Sequence, residues 1–255
     1  MSENANPNPP RDAANWATPV DKLDVGTIPD QAMNLNVQGR RPMSPLQGFG
    51  QLWQKTYRIR LQDTAVTPQQ VIAAWKANFP SFWPKGNNFY GPLQGVRPGE
   101  VAVLNLTMPG GAKLSTGVRV IYADDESFSF MTPQGHMFAG MITFSASADG
   151  RAPDASDAGG VTVIQIQALV RGSDPLYEAS FRLGFGHKAE DKFWFDTLRN
   201  LAAYFDASGQ EPTLTSVCVD KKVQWSEAGN IWHNAAIRSA IYLPIHFSRR
   251  LFRKS

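Results

Sequence analysis

The chain of 255 residues has little of what small proteins use for covalent or metal support. Its single cysteine, Cys218, excludes an internal disulfide framework and any cysteine-cluster metal site. Its four histidines, His136, His187, His233 and His246, form no H-x-x-x-H pair, so neither a metal nor a resident cofactor is expected. No apolar run approaches the ~18 residues of a membrane span. Met1–Pro10 lacks the basic and apolar regions of a secretory signal, which makes a cytoplasmic protein the expectation. The Gly-Gly pairs at 110–111 and 159–160 open no helix after a strand, so a phosphate-binding loop is excluded. A G-x-S-x-G nucleophile elbow is absent as well.

What is present suits a buried core. The composition is 42% hydrophobic and 18% charged, which excludes a wholly disordered or collagen-like chain. The net charge of +3 is local: after Glu227 there are five basic residues and no acidic one. The remainder is near neutral, so a nucleic-acid-binding domain is not expected.

Residues 1–48 carry 7 of the 18 prolines and little periodicity. Proline fixes φ and lacks an N–H, so this segment reads as a disordered start and an extended, solvated arm. Met33–Val37 is the part of it able to lie on the domain surface. From residue 49 the pattern changes. Tyr57, Ile59 and Leu61 alternate with Thr56, Arg58 and Arg60, as in a half-buried strand. Thr67-Pro68 opens a helix with Val71, Ile72, Trp75 and Phe79 on one face. Five strand-like runs follow, over 100–108, 113–123, 126–132, 137–148 and 161–171. Most of their turns are short and rich in Gly, Pro and Asp, which predicts an antiparallel meander. Ser173-Asp174-Pro175 starts a helical region reaching Ala207, bent or broken at Gly184 and Gly186. Within it Trp194, Leu198, Leu201 and Phe205 form one apolar stripe. Residues 208–255 read as a C-terminal extension, with a weak strand over 217–225 and a last helix capped by Asn230.

Strand, helix, meander and long C-terminal helix, over about Gly50–Ala207, resemble the START-type, birch-pollen-allergen-like superfamily (SRPBCC, helix-grip fold). Thr116–Ala148 (TGVRVIYADDESFSFMTPQGHMFAGMITFSASA) is similar to a bacterial branch of it, with an acidic turn, an F-x-F strand and a Gly-His turn. The resemblance implies an α+β fold, with a curved antiparallel sheet of six to seven strands wrapped around the long helix. Asn88–Leu93 is the candidate for the seventh strand. It also implies a cavity for an apolar molecule: lipid-, sterol- or polyketide-like. The superfamily has no universal catalytic motif, so no residue carries over as catalytic.

The candidate ligand-binding residues are Trp83, Phe89, Tyr90, Asn105, Arg119, His136, Phe138, Gln165 and Gln167. The aromatic loop Phe82, Trp83, Phe89 and Tyr90 either lies at the cavity mouth or caps the sheet as core. Asn105, Arg119, Gln165 and Gln167 orient a ligand if they face the concave side and are ordinary polar residues if they do not; alternation cannot tell which. His136, after Gly135 at a strand start, either serves a ligand or bonds the backbone of its turn. His187 has the same two readings. Glu190-Asp191 reads as an exposed helix start. In Pro244–Lys254 (PIHFSRRLFRK) the basic and apolar faces separate at about 100° per residue. It either lies on an anionic membrane or docks on the body. Three functions compete: carriage of an apolar small molecule, cyclase- or aromatase-like catalysis with His136 or Tyr90 moving a proton, and a partner-binding module with a filled interior.

Overall fold

The computed structural model describes residues 13–62, 64–91, 95–108, 110–149 and 161–242. Pro244–Lys254 lies outside them. Nine strands among the described residues form one antiparallel sheet. They are β1 (Pro42–Met43), β2 (Leu52–Leu61), β3 (Asn88–Tyr90), β4 (Val101–Thr107), β5 (Lys113–Ala123), β6 (Ser127–Pro133), β7 (Phe138–Ala148), β8 (Thr162–Gly172) and β9 (Thr213–Asp220). The order is β3-β4-β5-β6-β7-β8-β2-β9, with β1 paired to β6. The expected meander is β4 to β8, and Asn88–Tyr90 supplies the extra edge strand. The sheet exceeds the expected six to seven strands through β1 and β9. β1 has only two residues, and the outer edge strand β9 buries little. Neither leaves a strong periodic trace.

Helix α1 (Pro68–Asn78) starts where Thr67 and Gln70 cap each other's backbone N–H, and Pro68 needs no donor at that position. Its Val71, Ile72 and Trp75 are fully buried. Asp174 caps α2 (Pro175–Arg182) by accepting from the Leu176 and Tyr177 N–H groups. The expected break follows: Gly184, at φ 81°, takes a left-handed conformation that costs glycine little, and α3 (Phe185–Tyr204) departs from it. α3, ~30 Å long, lies across the concave face. Leu198 and Leu201 are fully buried there, and Trp194 and Phe205 pack half-buried beside them. An antiparallel sheet curved over one long helix is the helix-grip arrangement.

The arm is not a solvated linker over its described part. Leu23 and Val37 pack with Val101 and Val103 on the convex face of β4. Val101–Leu104 is apolar on both faces, and a strand so composed has to be covered twice. The Met33 backbone exchanges two hydrogen bonds with the Asn105 amide. Gly117 makes the contact possible, since a Cβ there would meet Val37 Cγ2 at 2.8 Å.

Residues 208–242 also pack on the body. β9 pairs with β2. A 3-10 helix (Trp225–His233) leads to a helical stretch over 235–242, named α4 below. Asn234, not Asn230, caps α4, accepting from the Ile237 N–H. Asn230 instead donates to the Gln47 and Ser173 carbonyls, tying the extension to the chain before β2 and after β8.

Candidate functional site

The concave face is filled at one end and open at the other. Phe79 lies with its ring centre 5.0–5.7 Å from those of Trp83, Phe89, Phe128, Phe130 and Phe144. That aromatic cluster and the second half of α3 plug one end. Under the first half of α3 a cavity of about 230 Å³ remains. Its floor is Leu104, Val118, Ile142, Ala168 and Val170; α2 and α3 roof it with Phe181, Ala189, Phe193 and Trp194. The volume is about eight times the ~30 Å³ a water molecule takes up in the liquid, and falls short of the ~300 Å³ at which drug-sized pockets begin.

Two ionisable side chains that reach this wall have defined partners. His136 is 8% exposed. The Phe138 N–H donates to its Nδ1 at 3.0 Å, which leaves the ring proton on Nε2. Burial pushes its pKa down to about 4, partly offset by the Phe138 carbonyl 3.1 Å from Nδ1. The imidazole is therefore neutral near pH 7 and offers a donor.

Glu190 also lines the cavity, and is 9% exposed. Lys55 Nζ donates to Glu190 Oε2 at 2.9 Å and to Asp191 Oδ1 at 2.7 Å; the Tyr57 hydroxyl donates to Asp191 Oδ1 at 2.7 Å. Burial first, then the Glu190 and Asp191 charges, push the Tyr57 phenol far up, so it stays a donor. His187 lies behind this group, its Nδ1 3.8 Å from Glu190 Oε2 and its ring 5.3 Å from Phe181.

Among the residues picked from sequence, Trp83, His136 and Phe138 line the cavity together. The Trp83 indole N–H is buried and meets no acceptor among the described residues. Phe89 packs behind Trp83 and Phe79 as core. The other five sit elsewhere, and register parity is the reason. Tyr90 pairs with Val103 and so falls on the convex side under the arm, while Phe89 pairs with Leu104 on the concave side. Asn105 holds Met33, and Arg119 donates to the Thr18 carbonyl; both fasten the arm. Gln165 accepts from Arg58 and Gln167 donates to Thr56, cross-strand pairs on the outer surface.

Lys55 and Glu190 were not legible as site residues. Glu190 is buried rather than part of an exposed helix start. Lys55 did carry a signal: it is in phase with Tyr57, Ile59 and Leu61, a cation on the inner face of a strand. Its pairing with Ala168 confirms the face.

No family model matches the chain, and no curated protein does. Solved structures similar to it include protein Ms6760 from Mycobacterium smegmatis, with 14% identity over 60% of this chain and 91% of that one, TM-score 0.37. A START superfamily protein from the same organism has 16% identity over 62% and 98%, TM-score 0.37. The di-domain ARO/CYC StfQ of the steffimycin biosynthetic pathway has 11% identity over 61% and 51%, TM-score 0.41.

Proposed function

We propose that the chain binds a small apolar molecule in the cavity beneath α3. The carrying observation is an unfilled, largely apolar space whose wall also holds a neutral imidazole and one carboxylate. Aliphatic and aromatic walls take the ligand's body out of water, and those groups fix its polar end. The volume supports a one- or two-ring molecule or a short acyl chain over a sterol. An enzyme using His136 as a base at neutral pH is poorly supported, because a pKa near 4 lies far from that working range. A filled partner-binding module leaves the cavity without a role. Native mass spectrometry of the protein from its own host tests the reading: a stoichiometric apolar adduct is expected. An empty protein that also fails to bind naphthalene-sized probes in titration would refute it.

Contact with an anionic membrane is part of the same proposal, supported by the surface that leads into the basic tail. α4 exposes Ile237, Ile241 and Tyr242 beside Arg238. Nearby, Arg40 Nη1 lies 2.8 Å from His233 Nδ1. The His233 pKa is held down by burial, then by the charges of Arg40, Arg238 and Arg41. Three guanidiniums around one imidazole suit a phosphate-bearing surface, and each basic group near such a surface contributes about 1 kcal/mol. Flotation with anionic vesicles is expected for the full chain and, more weakly, for one ending at residue 242, which keeps α4 and the three guanidiniums but loses the basic tail; equal, negligible flotation of both would remove this part.

A further inference from the structure

We infer that the Glu190 end of the cavity recognises an amine, so that the ligand is an apolar molecule with a protonated amino group and not a carboxylic acid. This rests on the cavity being a ligand site. Glu190 is the only Asp, Glu, Lys or Arg among the described residues that line it. Its Oε2 accepts from Lys55, and its Oε1 accepts no hydrogen bond among the described residues. Among the described residues the one Lys or Arg that contacts it is shared: Lys55 Nζ serves both Glu190 and Asp191, and the His187 Nδ1 stands 3.8 Å off the same Oε2. Two carboxylates on one ammonium leave an excess of negative charge at the wall, where the burial of Glu190 reduces screening by water.

A donor from the ligand would satisfy the spare oxygen, and a cationic donor would also offset the excess charge. Phe193 and Trp194, three and four residues after Glu190 on α3, line the same cavity. Aromatic faces beside a carboxylate favour a cation further. An anionic ligand finds no Lys or Arg among the described residues that line the cavity. Lys55 is already committed, and His136, with its pKa about 4, is neutral near pH 7.

The test uses three probes of one shape on the full chain at pH 7.5: 2-methylnaphthalene, 2-naphthylmethylamine and 2-naphthoic acid, titrated by tryptophan fluorescence and calorimetry. The amine is expected to bind at least about tenfold tighter than the neutral hydrocarbon, and the acid about tenfold weaker, the size of one charge-assisted hydrogen bond gained or one repulsion incurred. In Glu190→Gln, which keeps the shape, the ratio of amine to hydrocarbon affinity should fall below about threefold. Hydrocarbon binding with equal affinities for amine and acid would overturn the inference and leave the cavity reading standing. Failure of all three probes to bind would overturn both. The wild-type ratio decides the matter even if Glu190→Gln does not fold.

Discussion

His136 ties the cavity wall to pH, and its burial sets how strongly. In the folded chain its pKa is about 4, against 6.5 for the free side chain. A group whose folded pKa is depressed gives its full stability above its unfolded pKa. That stability is lost as pH falls toward the folded value, because the unfolded chain takes up the proton first. Between pH 7 and pH 5 the loss from this one residue is about 2 kcal/mol, from 1.36 kcal/mol per pKa unit. With a urea dependence of ~2 kcal/mol/M, the unfolding midpoint should drop by about 1 M. The control is His136→Asn, whose side-chain oxygen can still accept the Phe138 N–H across the same two-residue turn. His187, His233 and His246 remain in both proteins, so their contributions cancel in the difference. Urea denaturation of wild type and variant at half-unit steps from pH 7 to 5 should show the wild type losing about 2 kcal/mol more. Parallel stability curves for the two proteins would refute the argument, as would an imidazole resonance of His136 titrating near its ordinary value in NMR.

Leu198→Ala removes a fully buried side chain beneath α3 and should cost roughly 2–5 kcal/mol by chemical denaturation; an unchanged midpoint would mean that α3 does not grip the sheet. Lys55→Met leaves Glu190 and Asp191 without their shared cation and should cost about 3–5 kcal/mol by urea denaturation at pH 7; an unchanged midpoint would mean that the ion pairs do not hold α3 to β2. Deleting residues 1–12 should leave the thermal midpoint where it is, whereas deleting 1–43 should lower it by several degrees, because Leu23 and Val37 uncover Val101 and Val103. Equal midpoints for the two truncations would return the arm to the status of a linker.

Local chemistry settled much of this protein before any tertiary contact. Thr67-Pro68 and Asp174-Pro175 start helices because capping and a missing N–H are properties of those residues alone. The stripe Trp194, Leu198, Leu201 and Phe205 already defines the face of α3 that meets the sheet, and the short turns of the meander define antiparallel pairing. The strand faces were beyond reach, because alternation divides residues into two sets without saying which set is concave. Only register decided that: Phe89 against Leu104 inside, Tyr90 against Val103 outside, and Asn105, Arg119, Gln165 and Gln167 all outside. The arm needed the same information from the other direction, since prolines deny it a periodic signal and its burial depends on a partner strand 64 to 80 residues further along the chain. The charged group at the cavity shows the division most plainly. Lys55 and Glu190 are 135 residues apart. What the sequence determined is a cation on an apolar strand face; that it meets two carboxylates at the edge of an unfilled space was decided by the curve of the sheet over α3.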